Sequence, residues 1–233
     1  MKYRYIFVDL DNTLLDFEAA EEYSFYYTAQ SRGLSFGEAE LERYQAINAP
    51  LWKMMERREI TKEALVVCRF RELFEELGIT GIDPAQYNAD YLNNLALCTR
   101  TIDGAEELCR FIHENGVLII ATNGVSATQH RRIAASGLEP WLDKVVVSDD
   151  AGAEKPDPRY FERAFAVSGA GDKSECIIIG DSLTSDIRGG QQFGIDTCWF
   201  NPKGKALPED MPAPTYTVSG LSEFIDILNG KDL

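Results

Sequence analysis

The chain has 233 residues, which at roughly 150 residues per domain suits one large α/β domain or a core with an insertion. Acidic residues outnumber basic ones 38 to 23, a net charge of −15, which argues against a protein built to neutralise nucleic-acid phosphates or to lie on an anionic membrane. Two histidines, His113 and His130, are too few for an imidazole-rich zinc site, and the five cysteines form no CxxC pair and read as reduced, buried thiols.

The opening Met1-Lys2-Tyr3-Arg4-Tyr5 has no signal-peptide layout, and no apolar run approaches the ~20 residues of a bilayer span. A soluble, cytoplasmic protein is the expectation. Tyr5-Ile6-Phe7-Val8 is a continuous apolar run stopped at Asp9, the pattern of a strand buried on both faces. From Phe17 to Cys98 the pattern turns helical, with no convincing strand. Val66, Phe70, Leu73 and Leu77 share one helix face, Thr61 suits the N-cap and Gly78 the stop. Pro50 and Asp83-Pro84 punctuate this segment.

Further buried-strand runs follow at Val117–Ala121, Val145–Val147, Cys176–Ile179 and Thr197–Phe200. Between them lie helical patterns at 105–113, 126–136, 160–167 and 186–193, the second and last stopped by Gly137 and Gly194. A last short strand and the helix Leu221–Leu228 follow a proline-rich loop over 202–214. Strands alternating with helices predict a Rossmann-like parallel sheet with right-handed crossovers. The predicted domains are an α/β core over 1–15 and 99–233 and a helical insertion over 16–98. Two apparent ligand loops fail. Gly169–Ser174 precedes a strand instead of following one, and Gly189-Gly190 suits close helix packing.

Four polar elements fall at strand ends or at a helix start on the same edge, where open parallel sheets bind ligands. Asp9-Leu10-Asp11-Asn12-Thr13 follows the first strand, and its two acids can share a cation or divide the roles of nucleophile and proton donor. Alone, the pair fits a solvated turn equally well. Thr122-Asn123-Gly124 offers a hydroxyl and backbone N–H groups to an anion. Lys155 stands before a helix start in Glu154-Lys155-Pro156-Asp157-Pro158, and Gly180-Asp181 with Asp186 follows the Cys176–Ile179 run.

Taken together and in this order, these elements resemble the four motifs of the haloacid dehalogenase (HAD) superfamily of phosphatases. The resemblance covers the whole chain, with the helical insertion in the place of that superfamily's C1 cap. It implies a nucleophile at Asp9, an acid/base at Asp11, and phosphoryl-holding groups at Thr122, Asn123 and Lys155. It implies Mg²⁺ held by Asp9, Asp181 and the carbonyl of Asp11, with Asp186 behind them. The dehalogenating members lack an acid at the position of Asp11, so dehalogenation is not expected.

Substrate choice should lie on the insertion's inner face and on the loop Leu15-Asp16-Phe17. Tyr44–Trp52, Ile60-Thr61 and Arg69-Phe70 of the insertion, with the Thr122-Asn123-Gly124 turn and the Thr197-Cys198-Trp199 strand, resemble the pyrimidine 5′-nucleotidase branch, which implies a nucleoside monophosphate such as UMP, dUMP or dTMP as substrate. Phe17 and Trp52 could stack on a base and Asn48 could hydrogen-bond it, although packing within the cap is the more natural role for the two rings. Arg69 has the same two readings. Phosphoglycolate or N-acylneuraminate-9-phosphate phosphatase activity, sugar phosphomutase activity and a silent phosphometabolite-binding role stay open, as do monomer and homodimer. The expected partner is a small phosphorylated metabolite, not a nucleic-acid polymer or a membrane.

Overall fold

The structure is a computed structural model and describes residues 1–231. In chain order its elements are β1 (Tyr5–Val8), α1 (Phe17–Ser31), α2 (Glu38–Glu56), α3 (Lys62–Leu77), α4 (Pro84–Leu95), α5 (Ala105–Asn115), β2 (Val117–Thr122), α6 (Ser126–Ala135), β3 (Lys144–Val147), α7 (Ser148–Ala151), α8 (Pro158–Ser168), β4 (Cys176–Gly180), α9 (Gly189–Phe193), β5 (Asp196–Phe200), β6 (Tyr216–Val218) and α10 (Leu221–Leu228). The chain divides into two units, Met1–Phe17 with Thr99–Leu233, and Glu18–Cys98. Asp16 and Phe17, expected with the insertion, group with the first unit. Loop hydrogen bonds account for this: Asp16 N–H donates to Arg100 C=O at 2.9 Å, and Phe17 N–H to Asn12 Oδ1 at 3.1 Å.

The first unit is built on a six-stranded, all-parallel sheet in the order β3-β2-β1-β4-β5-β6. Side chains alternate across it. Ile6, Val8, Leu118, Ile120, Ile177 and Ile179 pack with α5 and α10 on one face. Phe7, Ile119, Ala121 and Ile178 pack with Tyr160, Phe161 and Phe193 of α8 and α9 on the other. Burial on both faces explains why the strands read as unbroken apolar runs. Strand order reverses at β1, which pairs with both β2 and β4, so the loops after β1 and β4 leave the sheet side by side.

Gly189 and Gly190 are packing positions, as expected. A Cβ on Gly189 would lie 2.6 Å from the Phe161 ring, and one on Gly190 would lie 2.6 Å from Ile178. The helix expected over 186–193 is in two parts, a π-helical turn over Leu183–Arg188 and then α9. Ser182 caps it, its Oγ accepting from Ser185 N–H at 3.2 Å.

The second unit holds α2, α3, α4 and all of α1 after Phe17. Thr61 Oγ1 caps α3, and Gly78 ends it at φ 65°, a left-handed position that favours glycine. Asp83 caps α4, and Pro84 occupies its first turn, where a missing N–H costs nothing. Pro50 does not break the chain but lies inside α2. That helix buries Tyr44, Ile47, Leu51 and Met55, and this packing outweighs the local cost of a proline. The unit's core is aromatic, with the Tyr44 and Phe70 rings stacked at 5.3 Å and Phe70 edge-on to Tyr87 at 4.8 Å. No helix among the described residues is long and apolar enough to cross a membrane.

Candidate active site

Asp9 leaves β1 with its N–H donating to Ile179 C=O at 2.9 Å, the last bond of the β1–β4 ladder. Asp181 and Asp186 follow β4. Gly180, the last residue of β4, is required by space, since a Cβ there would lie 2.2 Å from Asp186 Oδ2. Asp186 is fully buried, and its Oδ2 accepts from Ser182 N–H at 3.2 Å. It therefore serves the helix start and the site together.

Lys155 is the buried centre of the cluster. Its ammonium donates to Asp9 Oδ1 at 2.7 Å, Asp186 Oδ1 at 2.5 Å and Ala121 C=O at 2.6 Å. All three ammonium N–H donors are thereby used. Burial works against the charged amine, but Asp186 and Asp9 outweigh it and raise its pKa. Burial also raises Asp9 well above the ordinary carboxylate range, opposed by Lys155 and reinforced by Asp186, Asp181 and Asp11. Asp181 is pushed up to about 7, first by burial and then by Asp186. One ammonium does not balance these acids.

Asp9, Asp181 and Asp186 each present a carboxylate oxygen within 4.8 Å of the others. The set is all oxygen, with residual negative charge and no thiol or imidazole. That donor chemistry suits a hard divalent cation such as Mg²⁺.

A family model for haloacid dehalogenase-like hydrolases matches residues 3–194. The chain belongs to this family. The HAD-hydrolase YfnB of Bacillus subtilis is 38% identical over 229 residues, covering 98% of this chain and 96% of YfnB. The pyrimidine 5′-nucleotidase PynA of Streptococcus pneumoniae is 36% identical, covering 98% of this chain and 96% of PynA. The pyrimidine 5′-nucleotidase YjjG of Escherichia coli is 34% identical, covering 98% and 99%. A crystal structure of YfnB bound to magnesium, described as revealing interdomain movement, superposes with a TM-score of 0.92 and covers 98% of this chain and all of that one.

In this HAD hydrolase, Asp9, Asp11, Thr122, Lys155, Asp181 and Asp186 come together at one sheet edge. Asn123 has a different place from the one expected. Its side chain does not face outward to an anion but latches the main chain of Lys155, with Nδ2 donating to Lys155 C=O and Oδ1 accepting from Lys155 N–H, both at 2.8 Å. An amide carries both a donor and an acceptor, and the N–H and C=O of Lys155 satisfy both. Thr122 Oγ1 accepts from Gln129 Nε2 at 2.9 Å and from Gly124 N–H at 3.3 Å, leaving its own O–H to donate.

Within the second unit, Asn48 is buried and its amide is committed. It donates to Glu21 Oε1 and accepts from Trp52 Nε1, each at 3.1 Å. Arg69 is equally enclosed, donating to Tyr44 Oη at 3.0 Å and Asn88 Oδ1 at 2.8 Å, so it packs the unit. Burial raises the Glu21 pKa against the hydrogen bonds it accepts from Gln45 and Asn48 and the pull of Arg69. Phe17 and Trp52 are half-buried.

Sequence reasoning missed three residues at the core site. Gln129 and Arg132 of α6 both reach the Asp11 carboxylate. Trp199 Nε1 donates to Asp181 C=O at 3.1 Å, steadying the loop after β4. The i, i+3 spacing of Gln129 and Arg132 places them on one helix face, but nothing in the sequence aims that face at the sheet edge.

Proposed function

We propose that the chain is a phosphomonoesterase acting on pyrimidine nucleoside monophosphates through an aspartyl-phosphate on Asp9. The observation that carries this reading is the buried Lys155 held between Asp9 and Asp186, with Asp11 on the same loop as Asp9. Asp9 and the neighbouring acids supply a nucleophile, a proton donor and a cation site at one edge. Two relatives named as pyrimidine 5′-nucleotidases, aligned over nearly the whole chain, support the substrate class.

In the first step an oxygen of Asp9 attacks phosphorus, the bond from phosphorus to the sugar oxygen breaks, and Asp11 gives that oxygen its proton. In the second step Asp11 takes a proton from water as the water oxygen attacks phosphorus, and the Asp9 carboxylate is released. Thr122 O–H and the Asn123 N–H bind phosphoryl oxygens. Lys155, with every N–H engaged, acts by its charge and by fixing Asp9. Asp9, Asp181 and the Asp11 carbonyl would hold Mg²⁺, with Asp186 supporting them from behind. When bound, the ion neutralises charge on the transferring phosphoryl group.

Phe17 and Trp52 are the proposed aromatic faces for a base. Asn48 contributes by accepting the Trp52 indole N–H and so fixing that ring. A panel of UMP, dUMP, dTMP, phosphoglycolate, N-acylneuraminate 9-phosphate and sugar phosphates, read as free phosphate with Mg²⁺ or EDTA, tests the reading. The highest kcat/KM is expected on the pyrimidine nucleotides, with loss in EDTA. A preference for sugar phosphates or phosphoglycolate would overturn the substrate class.

A further inference from the structure

Arg132 is fully buried, and a buried guanidinium needs a built set of partners. Its Nη1 pairs with Asp11 Oδ1 and also donates to Gln129 Oε1 at 3.1 Å. Its charged carbon lies 5.7 Å from the centre of the Phe17 ring. Gln129 Nε2 donates to the other oxygen of the same carboxylate, Asp11 Oδ2, at 2.8 Å, and to Thr122 Oγ1 at 2.9 Å. Both oxygens of Asp11 are therefore gripped from one helix face. Gln129 also ties this acid to the hydroxyl proposed to hold phosphate.

The terminal torsion of an aspartate is soft, so an ungripped carboxyl would sweep a broad range of planes. Proton transfer needs the donor oxygen within about 2.6–3.2 Å of its target. Each carboxylate oxygen retains a second lone pair when one is used, so the grip fixes direction without occupying every site. Asp11 keeps a quarter of its side chain exposed for that purpose.

We propose that Gln129 and Arg132 are positioning residues that set the place and plane of the Asp11 carboxylate for proton transfer to and from the substrate. The inference rests on the reading of Asp11 as acid/base given above, and goes beyond it by assigning the side chains that make Asp11 competent.

The test compares dTMP, whose sugar oxygen needs a proton on leaving, with p-nitrophenyl phosphate, whose leaving group does not. Wild type, Gln129→Leu, Arg132→Met, Arg132→Lys, Asp11→Asn and the Asp11→Asn/Gln129→Leu double variant are assayed for kcat and KM with Mg²⁺, with thermal melts to confirm folding. Gln129→Leu is expected to lower kcat on dTMP by about 100-fold, the scale of a misplaced catalytic group, with KM little changed. The loss in kcat/KM, which counts only the steps up to departure of the leaving group, should be smaller on p-nitrophenyl phosphate, and should vanish in the Asp11→Asn background, because Gln129 acts through Asp11. Arg132→Lys should retain more activity than Arg132→Met. If Arg132→Met does not fold, Gln129→Leu still carries the test. Equal fractional losses of kcat/KM on the two esters, with effects that multiply independently in the double variant, would overturn the proposal. Wild-type turnover of dTMP by Asp11→Asn would instead sink the acid/base reading beneath it.

Discussion

Replacing Lys155 with methionine removes the cation around which the site is folded. The side chain is 1% exposed and contacts Asp9, Asp186 and Ala121 C=O within 2.7 Å, so methionine fills the volume but leaves two buried carboxylates unpaired. Their oxygens lie within 4.8 Å of one another and of Asp181. At an effective dielectric constant of about 20, unit charges at that distance repel by about 3 kcal/mol. Breaking a buried ion pair from one side costs about 3–5 kcal/mol, and a destabilisation of that size is expected for Lys155→Met at neutral pH in EDTA.

The lysine pKa is raised in the fold, so its contribution is complete below the unfolded lysine value and does not change through the acidic and neutral range. The deficit of the variant should therefore shrink on acidification, when protons take over neutralisation of the carboxylates. Mg²⁺ should restore part of it at neutral pH. Urea denaturation followed by circular dichroism measures each quantity. A variant within about 1 kcal/mol of wild type in EDTA, below the range for a broken buried pair, would refute the central place given to this ammonium.

The metal-free protein should lose stability as pH rises from about 4 to about 7 through Asp181, whose folded pKa is raised to about 7 from 3.8. The folded state then holds a proton that the unfolded state has released, which makes the slope negative, and urea titrations in EDTA should find that slope reduced in Asp181→Asn. Gly180→Ala should displace Asp186, given the 2.2 Å approach of a Cβ, and lower both melting temperature and turnover; normal values for both would contradict the packing described. Gly124→Ala should push Gln129 aside, since its Cβ would fall 2.3 Å from the amide carbon, and turnover of dTMP should fall as in Gln129→Leu. Cys109, Cys176 and Cys198 are buried and their thiols raised by that burial, so a thiol reagent should reach them only on unfolding, as counted by mass spectrometry.

Strands β1, β2, β4 and β5 were legible because they are buried almost throughout and each apolar run stops at a polar residue or at Gly180. Asp9 and Asp181 stood out for the same reason, as acids placed where a parallel sheet opens. The grip on Asp11 was not legible. Gln129 and Arg132 are 118 and 121 residues from Asp11, and on α6 alone they look like an ordinary solvated face. Only the pairing of β1 with β2 brings that face to the first loop. The sequence alone points Asn123 at phosphate, because its partner, the main chain of Lys155, lies 32 residues away. Pro50 looks like punctuation in the sequence because helix propensity is local, whereas the burial of Tyr44 and Leu51 that holds α2 together is tertiary.

The most direct measurement is release of inorganic phosphate from dTMP by wild type and Asp9→Asn, with rapid acid quenching to trap phosphate on the protein. Mg²⁺-dependent turnover and acid-stable labelling at Asp9 are expected in wild type. Neither is expected in Asp9→Asn, with the fold preserved. Full turnover by Asp9→Asn, or phosphate trapped on another residue, would contradict the assignment of Asp9 as nucleophile.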